Sequence, residues 1–129
     1  MSVKFFVWLS IASCVLVAGG LAINQGIVSG KSGPAHQSIL LQAKAGRFND
    51  VNPPLLVRRG IPVEITVRNA EPGPIPHDFV LVGLGIRTPN PLQPGESASL
   101  RFTPSRSGEF AYTCSLHPGL MDGRLIVRP

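Results

Sequence analysis

The alternation of apolar and polar positions changes character twice along this chain. Phe5 to Ile23 reads FFVWLSIASCVLVAGGLAI, without a charge. A helix of that length extends roughly 28 Å, close to the thickness of a bilayer core. Asn24 to Gln37 is rich in Gly, Ser and Asn, contains Pro34, and reads as a flexible tether. From Ser38 onward the period is two. Val63-Glu-Ile-Thr-Val-Arg68 and Ala98-Ser-Leu-Arg-Phe102 alternate apolar with polar residues, which predicts half-buried strands. Ile39–Ala43, Leu55–Arg58, Phe79–Val82, Glu109–Thr113 and Arg124–Val127 are further candidate strands. Asn52-Pro-Pro54, Arg59-Gly-Ile-Pro62, Glu71-Pro-Gly-Pro74, Pro94-Gly95, Ser107-Gly108 and Pro118-Gly119 punctuate them as turns. No stretch of this region carries a 3.6-residue apolar period of useful length, and there is no internal repeat. About seven short strands so punctuated predict an all-β domain, a β-sandwich.

The expected organisation is therefore an N-terminal apolar segment (residues 1–23), a linker (24–37) and a single domain (38–129). The apolar segment admits three readings. It is an uncleaved anchor with Lys4 inside, a cleaved signal peptide ending near Gly20-Leu-Ala22, or a lipidation signal at Ile11-Ala-Ser-Cys14. The run continues well past Cys14, which argues against lipidation. All three readings send the domain out of the cytoplasm, to a periplasm or an outer membrane face.

Charge adds little. The 12 Lys and Arg exceed the 7 Asp and Glu, for a net charge of +5. Only Arg58 and Arg59 are adjacent, so the concentrated basic face of a nucleic-acid binder is not expected. A mildly positive field suits an acidic protein partner. Cysteine usage changes the picture more. Of the two cysteines, Cys14 lies in the apolar segment, so the domain carries one unpaired thiol, Cys114. A lone thiol in an exported domain calls for a reason, and metal ligation is one.

That reason is legible nearby. Cys114-Ser-Leu-His117-Pro-Gly-Leu-Met121 places a thiolate, an imidazole and a thioether within eight residues. With a second imidazole these make a mononuclear blue-copper donor set, and His77 stands in sequence where it can supply one. Parity supports the grouping. Phe110, Tyr112 and Cys114 share one strand face, and His77 shares a face with Phe79 and Leu81. If the bulky residues face the core, so do the ligands. Taken singly, a strand-end cysteine is an ordinary small hydrophobe and a lone methionine is core filler. Their joint occurrence around a histidine favours a metal site. Structural zinc sites use four strong ligands rather than a thioether. A dinuclear copper centre needs a second cysteine, which residues 115–120 lack. A Cys–His nucleophile leaves Met121 unexplained. His36 is expected to be an exposed linker residue, not a ligand.

These residues resemble the cupredoxin family, especially plastocyanin- and azurin-like small blue (type 1) copper proteins. The resemblance runs from Ile39 to Val127 and is strongest over Gly108-Glu-Phe-Ala-Tyr-Thr-Cys114-Ser-Leu-His117-Pro-Gly-Leu-Met121-Asp-Gly123-Arg-Leu-Ile-Val127. Leu56-Val-Arg-Arg-Gly60-Ile-Pro-Val63-Glu-Ile-Thr-Val67-Arg-Asn69 is similar to the family's strand–Gly–strand–Asn segment before the first histidine. The resemblance implies an eight-stranded or similar Greek-key sandwich with one type 1 copper per chain. It implies His77, Cys114, His117 and Met121 as metal ligands. It also implies an electron port at His117, with Pro118, Leu120, Pro74, Ile75 and Leu84 around it.

The implied activity is single-electron shuttling between redox partner proteins that dock near His117, with no catalysis, no small-molecule substrate and no nucleic acid. A copper-delivery module and a fixed relay subunit of a membrane redox complex are the alternatives. A structural domain with an empty site fits poorly with four intact ligands. One departure stands out. The family commonly has Asn after the first histidine, where this chain has Asp78, so the tie to the Ser115 region is expected to be altered. A carboxylate there is also expected to lower the copper potential or make it pH-dependent.

Overall fold

A computed structural model of the protein describes residues 35–129. The apolar segment and most of the linker lie outside the described residues. Among the described residues no helix is long and apolar enough to cross a membrane.

Among the described residues nine strands form: β1 (Gln37–Lys44), β2 (Arg47–Phe48), β3 (Leu55–Arg58), β4 (Val63–Asn69), β5 (Val80–Leu81), β6 (Ile86–Arg87), β7 (Ser97–Phe102), β8 (Gly108–Thr113) and β9 (Gly123–Arg128). They make a four-stranded sheet, β2-β1-β4-β7, and a five-stranded sheet, β3-β9-β8-β5-β6. The pairs β1–β4 and β3–β9 are parallel; the other pairs are antiparallel. The order is that of a two-sheet sandwich, as expected. All seven anticipated strands are present, the two read from alternation among them, most with ends displaced by a residue or two. β2 and β6 are additional. At two residues each they are too short to carry a period.

Alternation sorts the faces as the pleat requires. In β4, Val63, Ile65, Val67 and Asn69 are buried while Arg68 faces out. In β9, Leu125 and Val127 are buried while Arg124 and Arg128 are exposed. The inward residues of both sheets merge into one core. Phe48, Phe79 and Tyr112 sit at its centre, each fully buried, with ring centroids 5.3–5.7 Å apart. Phe110 is only half-buried and carries the Arg106 guanidinium over its ring at 5.2 Å. The expected inward parity thus holds fully for Tyr112 and Cys114 and partly for Phe110.

The topology gathers particular loops at one end of the sandwich. β1 and β4 run parallel, so the β1–β2 turn and the segment after Asn69 lie at the same end. β5 pairs with β8 through Val80↔Thr113 and Leu81↔Tyr112, so the start of β5 meets the end of β8. His77 and Cys114 are thereby brought side by side from 37 positions apart.

Candidate metal centre

His77 enters the site on a segment fixed by backbone pairing. It exchanges two backbone hydrogen bonds with Leu92: His77 N donates to Leu92 O at 3.1 Å and Leu92 N to His77 O at 2.7 Å. Its side chain is fully buried. Cys114 follows β8 directly, and its sulfur is fully buried as well. The chain then turns through His117, whose backbone N donates to Cys114 O at 3.1 Å. Gly119 makes the tight turn with φ +81°, a conformation that costs glycine little. Met121 returns to the interior with no exposure.

His77 Nδ1 lies 3.9 Å and His117 Nδ1 3.5 Å from Cys114 Sγ. One donor atom from each of the three residues falls within 4.8 Å of the others. The two imidazole rings stand 4.8 Å apart, centroid to centroid, at 47°. Among the described residues this is the one group of three or more His, Cys, Asp or Glu donors with metal-binding spacing. The fit to copper rests on donor chemistry. Two imidazole nitrogens and a thiol converge in a buried site, with a buried thioether on the same loop and no fourth strong donor. That is a type 1 copper set and a poor structural zinc set. His36 is exposed and belongs to no such group.

Burial pushes the Cys114 thiol up, because desolvation penalises the thiolate. The Asp78 amide, donating to Sγ at 3.4 Å, and the Leu116 amide act in the opposite direction. A bound cation at the sulfur strongly favours the thiolate.

Asp78 keeps the tie that its side chain put in question. It is buried, and its Oδ1 accepts the Ser115 amide at 2.6 Å. Its Oδ2 accepts the Ser115 hydroxyl and faces the Arg87 guanidinium at 3.4 Å. An acceptor-only carboxylate is satisfied because Ser115 supplies two donors and Arg87 a charge. The loops are therefore joined through the carboxylate itself.

Three further residues build the site; Asn69 closes the segment that resembles the family's before the first histidine, whereas Glu71 and Asn52 read only as turn residues. Asn69, fully buried, donates through Nδ2 to Ile75 O and Leu92 O, both at 2.8 Å, and accepts the Glu71 amide at 3.0 Å. It organises the whole segment leading to His77. Glu71 meets His77 Nε2 at 3.0 Å through Oε1, and that hydrogen bond holds the Glu71 carboxyl below its ordinary range. Asn52, in the β2–β3 loop with φ 51°, accepts the Phe48 amide and donates to Leu120 O, both at 2.8 Å. It braces the ligand loop from outside. Asn tolerates such a left-handed φ better than most residues.

The rim differs slightly from expectation. Ile75, Leu116 and Leu120 are exposed on the two ligand loops, and Pro74 and Pro118 are exposed beside them. His117 is half-buried. Leu84 instead lines a surface cleft of about 180 Å³ with Phe102, Pro104, Arg106 and Phe110. Its place in the β5–β6 turn directs it there, and Leu116 was missed because it sits between two ligands with no strand parity to place it.

A family model described as a cupredoxin-like domain matches residues 14–127. The chain belongs to the cupredoxin-like family. Solved structures agree on the fold. An auracyanin from the photosynthetic bacterium Roseiflexus castenholzii is 20% identical at TM-score 0.63, covering 74% of this chain and 99% of that one. Auracyanin A, a "blue" copper protein from Chloroflexus aurantiacus, is 21% identical at TM-score 0.60, covering 74% and 100%. The metal-binding domain of the Cu(I)-exporting P-type ATPase CopA of Streptococcus pneumoniae D39 is 26% identical at TM-score 0.58, covering 71% and 85%. The fold also matches parts of enzymes, a copper-containing nitrite reductase and a multicopper oxidase. A comparison with curated protein sequences found no match. The cupredoxin assignment and the type 1 copper donor set therefore stand together.

Proposed function

We propose that this cupredoxin is a type 1 copper electron-transfer protein, with His77, Cys114, His117 and Met121 as the ligands. The observation that carries the reading is the convergence of two imidazoles and one thiol within 4.8 Å, with Met121 buried on the same loop. Copper, when bound, supplies a one-electron Cu(I)/Cu(II) couple. The chain supplies the rest. Cys114 offers a sulfur already hydrogen-bonded by the Asp78 amide, and the Asp78–Ser115 tie holds the two ligand loops together. The buried wall excludes water, and a site held from several sides changes little with the charge it carries.

Electrons enter and leave through half-exposed His117. The apolar rim of Ile75, Leu116 and Leu120 suits the small, weak encounters of redox proteins. The protein works outside the cytoplasm, held at a membrane if its apolar N-terminal segment is retained. It serves as a carrier and not as an enzyme. It takes neither nucleic acid nor a small-molecule substrate. Likeness to the CopA domain, a structure with Cu(I), favours a second reading, copper holding and delivery.

Adding Cu(II) to the purified protein and recording visible and EPR spectra separates these readings. An intense thiolate-to-copper band that bleaches reversibly on reduction is expected. Cys114→Ser abolishes it, whereas Met121→Leu keeps it and raises the potential. A colourless protein that holds only Cu(I), and yields it readily to a chelator, overturns electron transfer in favour of delivery. Isolation from native membranes, with identification of what accompanies the protein, tests the fixed-subunit alternative.

A further inference from the structure

His77 is held at both ends of its ring. Nδ1 faces the Cys114 sulfur at 3.9 Å, and Nε2 lies 3.0 Å from Glu71 Oε1. The pair is nearly sealed from solvent, with side-chain exposure of 1% for His77 and 6% for Glu71. The same Glu71 oxygen accepts the Ala45 amide at 2.6 Å. Ala45 occupies the β1–β2 turn, where Ala45 and Gly46 both have positive φ, 51° and 70°. The Glu71 amide is in turn held by Asn69 Oδ1. A carboxylate so anchored does not swing to accommodate the imidazole; the imidazole conforms to it.

An ionised carboxylate only accepts hydrogen bonds, so the ring nitrogen facing it must donate. A neutral His77 is thereby restricted to the tautomer with hydrogen on Nε2 and a lone pair on Nδ1, directed toward Cys114. A carboxylate behind a ligating imidazole also raises the basicity of the ligating nitrogen. Negative charge at that position stabilises the more highly charged metal state.

We propose that Glu71 is a positioning residue of the metal centre: through Nε2 it sets the tautomer and orientation of His77, and its charge lowers the copper potential. Glu71 touches no metal position itself. The inference rests on the copper reading above for the potential, but not for the tautomer.

The test uses the full-length protein, its Glu71→Gln variant and its Glu71→Ala variant. Long-range ¹H–¹⁵N spectra of the metal-free proteins report the His77 tautomer. Hydrogen on Nε2 is expected in the native protein and in Glu71→Gln, whose amide oxygen still accepts. A mixture of tautomers is expected in Glu71→Ala. Redox titration of the copper-loaded proteins reads the charge. Glu71→Gln is expected to lose Cu(II) affinity about tenfold more than Cu(I) affinity, an upward shift of about 59 mV. Blue Glu71→Gln protein with the native potential overturns the charge effect while the copper reading stands. Hydrogen on Nδ1 of native His77 overturns the positioning role whatever the metal does. Native protein without a thiolate-to-copper band overturns the copper reading and the charge effect with it, and the metal-free spectra still decide the positioning role. If Glu71→Ala fails to fold, native protein and Glu71→Gln carry both measurements.

Discussion

Gly123→Ala is the sharpest test of how the base of the ligand loop is built. Gly123 opens β9 and pairs across the sheet with Tyr112, two residues before Cys114. A Cβ added at Gly123 would lie 2.1 Å from Tyr112 Cζ, 2.2 Å from its Oη and 2.6 Å from Cε1. The tyrosine has nowhere to go. It is fully buried, and its hydroxyl donates to Pro53 O at 2.7 Å. Its ring packs against Phe48 and Phe79 at 5.7 and 5.3 Å. Overpacking of this kind costs about 1–3 kcal/mol, and losing the Pro53 hydrogen bond adds about 1 kcal/mol. We expect a loss of about 2–4 kcal/mol, which for a domain of this size lowers Tm by roughly 10–25 °C. Urea and thermal unfolding of the metal-free protein measure it. The clash also predicts coupling: Tyr112→Leu combined with Gly123→Ala should cost at least about 1 kcal/mol less than the two changes summed. A Gly123→Ala variant within about 0.5 kcal/mol of the native protein, or strict additivity of the pair, would refute the argument.

Three other outcomes follow from the same geometry. Burial pushes the Tyr112 phenol up to about 12, so the unfolded chain ionises first; the Tyr112 contribution to stability should be flat below pH 10 and fall by up to about 1.4 kcal/mol per pH unit between 10 and 12. Alkaline denaturant titrations of native protein and Tyr112→Phe check this, the variant lacking that part of the decline. Asn69→Ala removes three hydrogen bonds, one buried and two part-buried, and is expected to cost about 3 kcal/mol, with a matching drop in the urea midpoint; a loss below about 1 kcal/mol would contradict its organising role. Asp78→Asn keeps an acceptor for the Ser115 amide but removes a buried charge, so the copper potential should rise, by up to about 59 mV for a tenfold change in the one-electron equilibrium. Spectroelectrochemical titration decides, and an unchanged or lower potential would mean that Arg87 already neutralises the carboxylate.

The legible parts of this protein are those written in short-range pattern. Alternation in Val63–Arg68 and Ala98–Phe102 is a property of neighbouring residues, and strands formed there. Parity carried inward orientation from Phe79 to His77 and from Tyr112 to Cys114, and all four are buried. Scarcity of residue types did the rest, because Cys114, His117 and Met121 crowd one loop whatever the fold. Apart from Asn69, the supporting shell was not legible. Glu71 reads as a turn residue until the β1–β2 turn, 26 positions away, brings the Ala45 amide to its carboxylate. Asn52 reads as a turn until Leu120 O, 68 positions on, takes its amide.

Gly123 and Asp78 show the division most clearly. Gly123, between the ligand loop and β9, is not among the residues with positive φ, so conformational freedom does not account for it. Its lack of a side chain is required by a tyrosine ring on the neighbouring strand. Asp78 reads as an altered tie, and the alteration is that Ser115 turns both its donors toward the carboxylate. Residue type and local period thus specify strands, faces and ligand chemistry, because those depend on a few adjacent positions. Which polar groups lock the ligands in place depends on what packs beside them across the sandwich, and that is settled only when both sheets close.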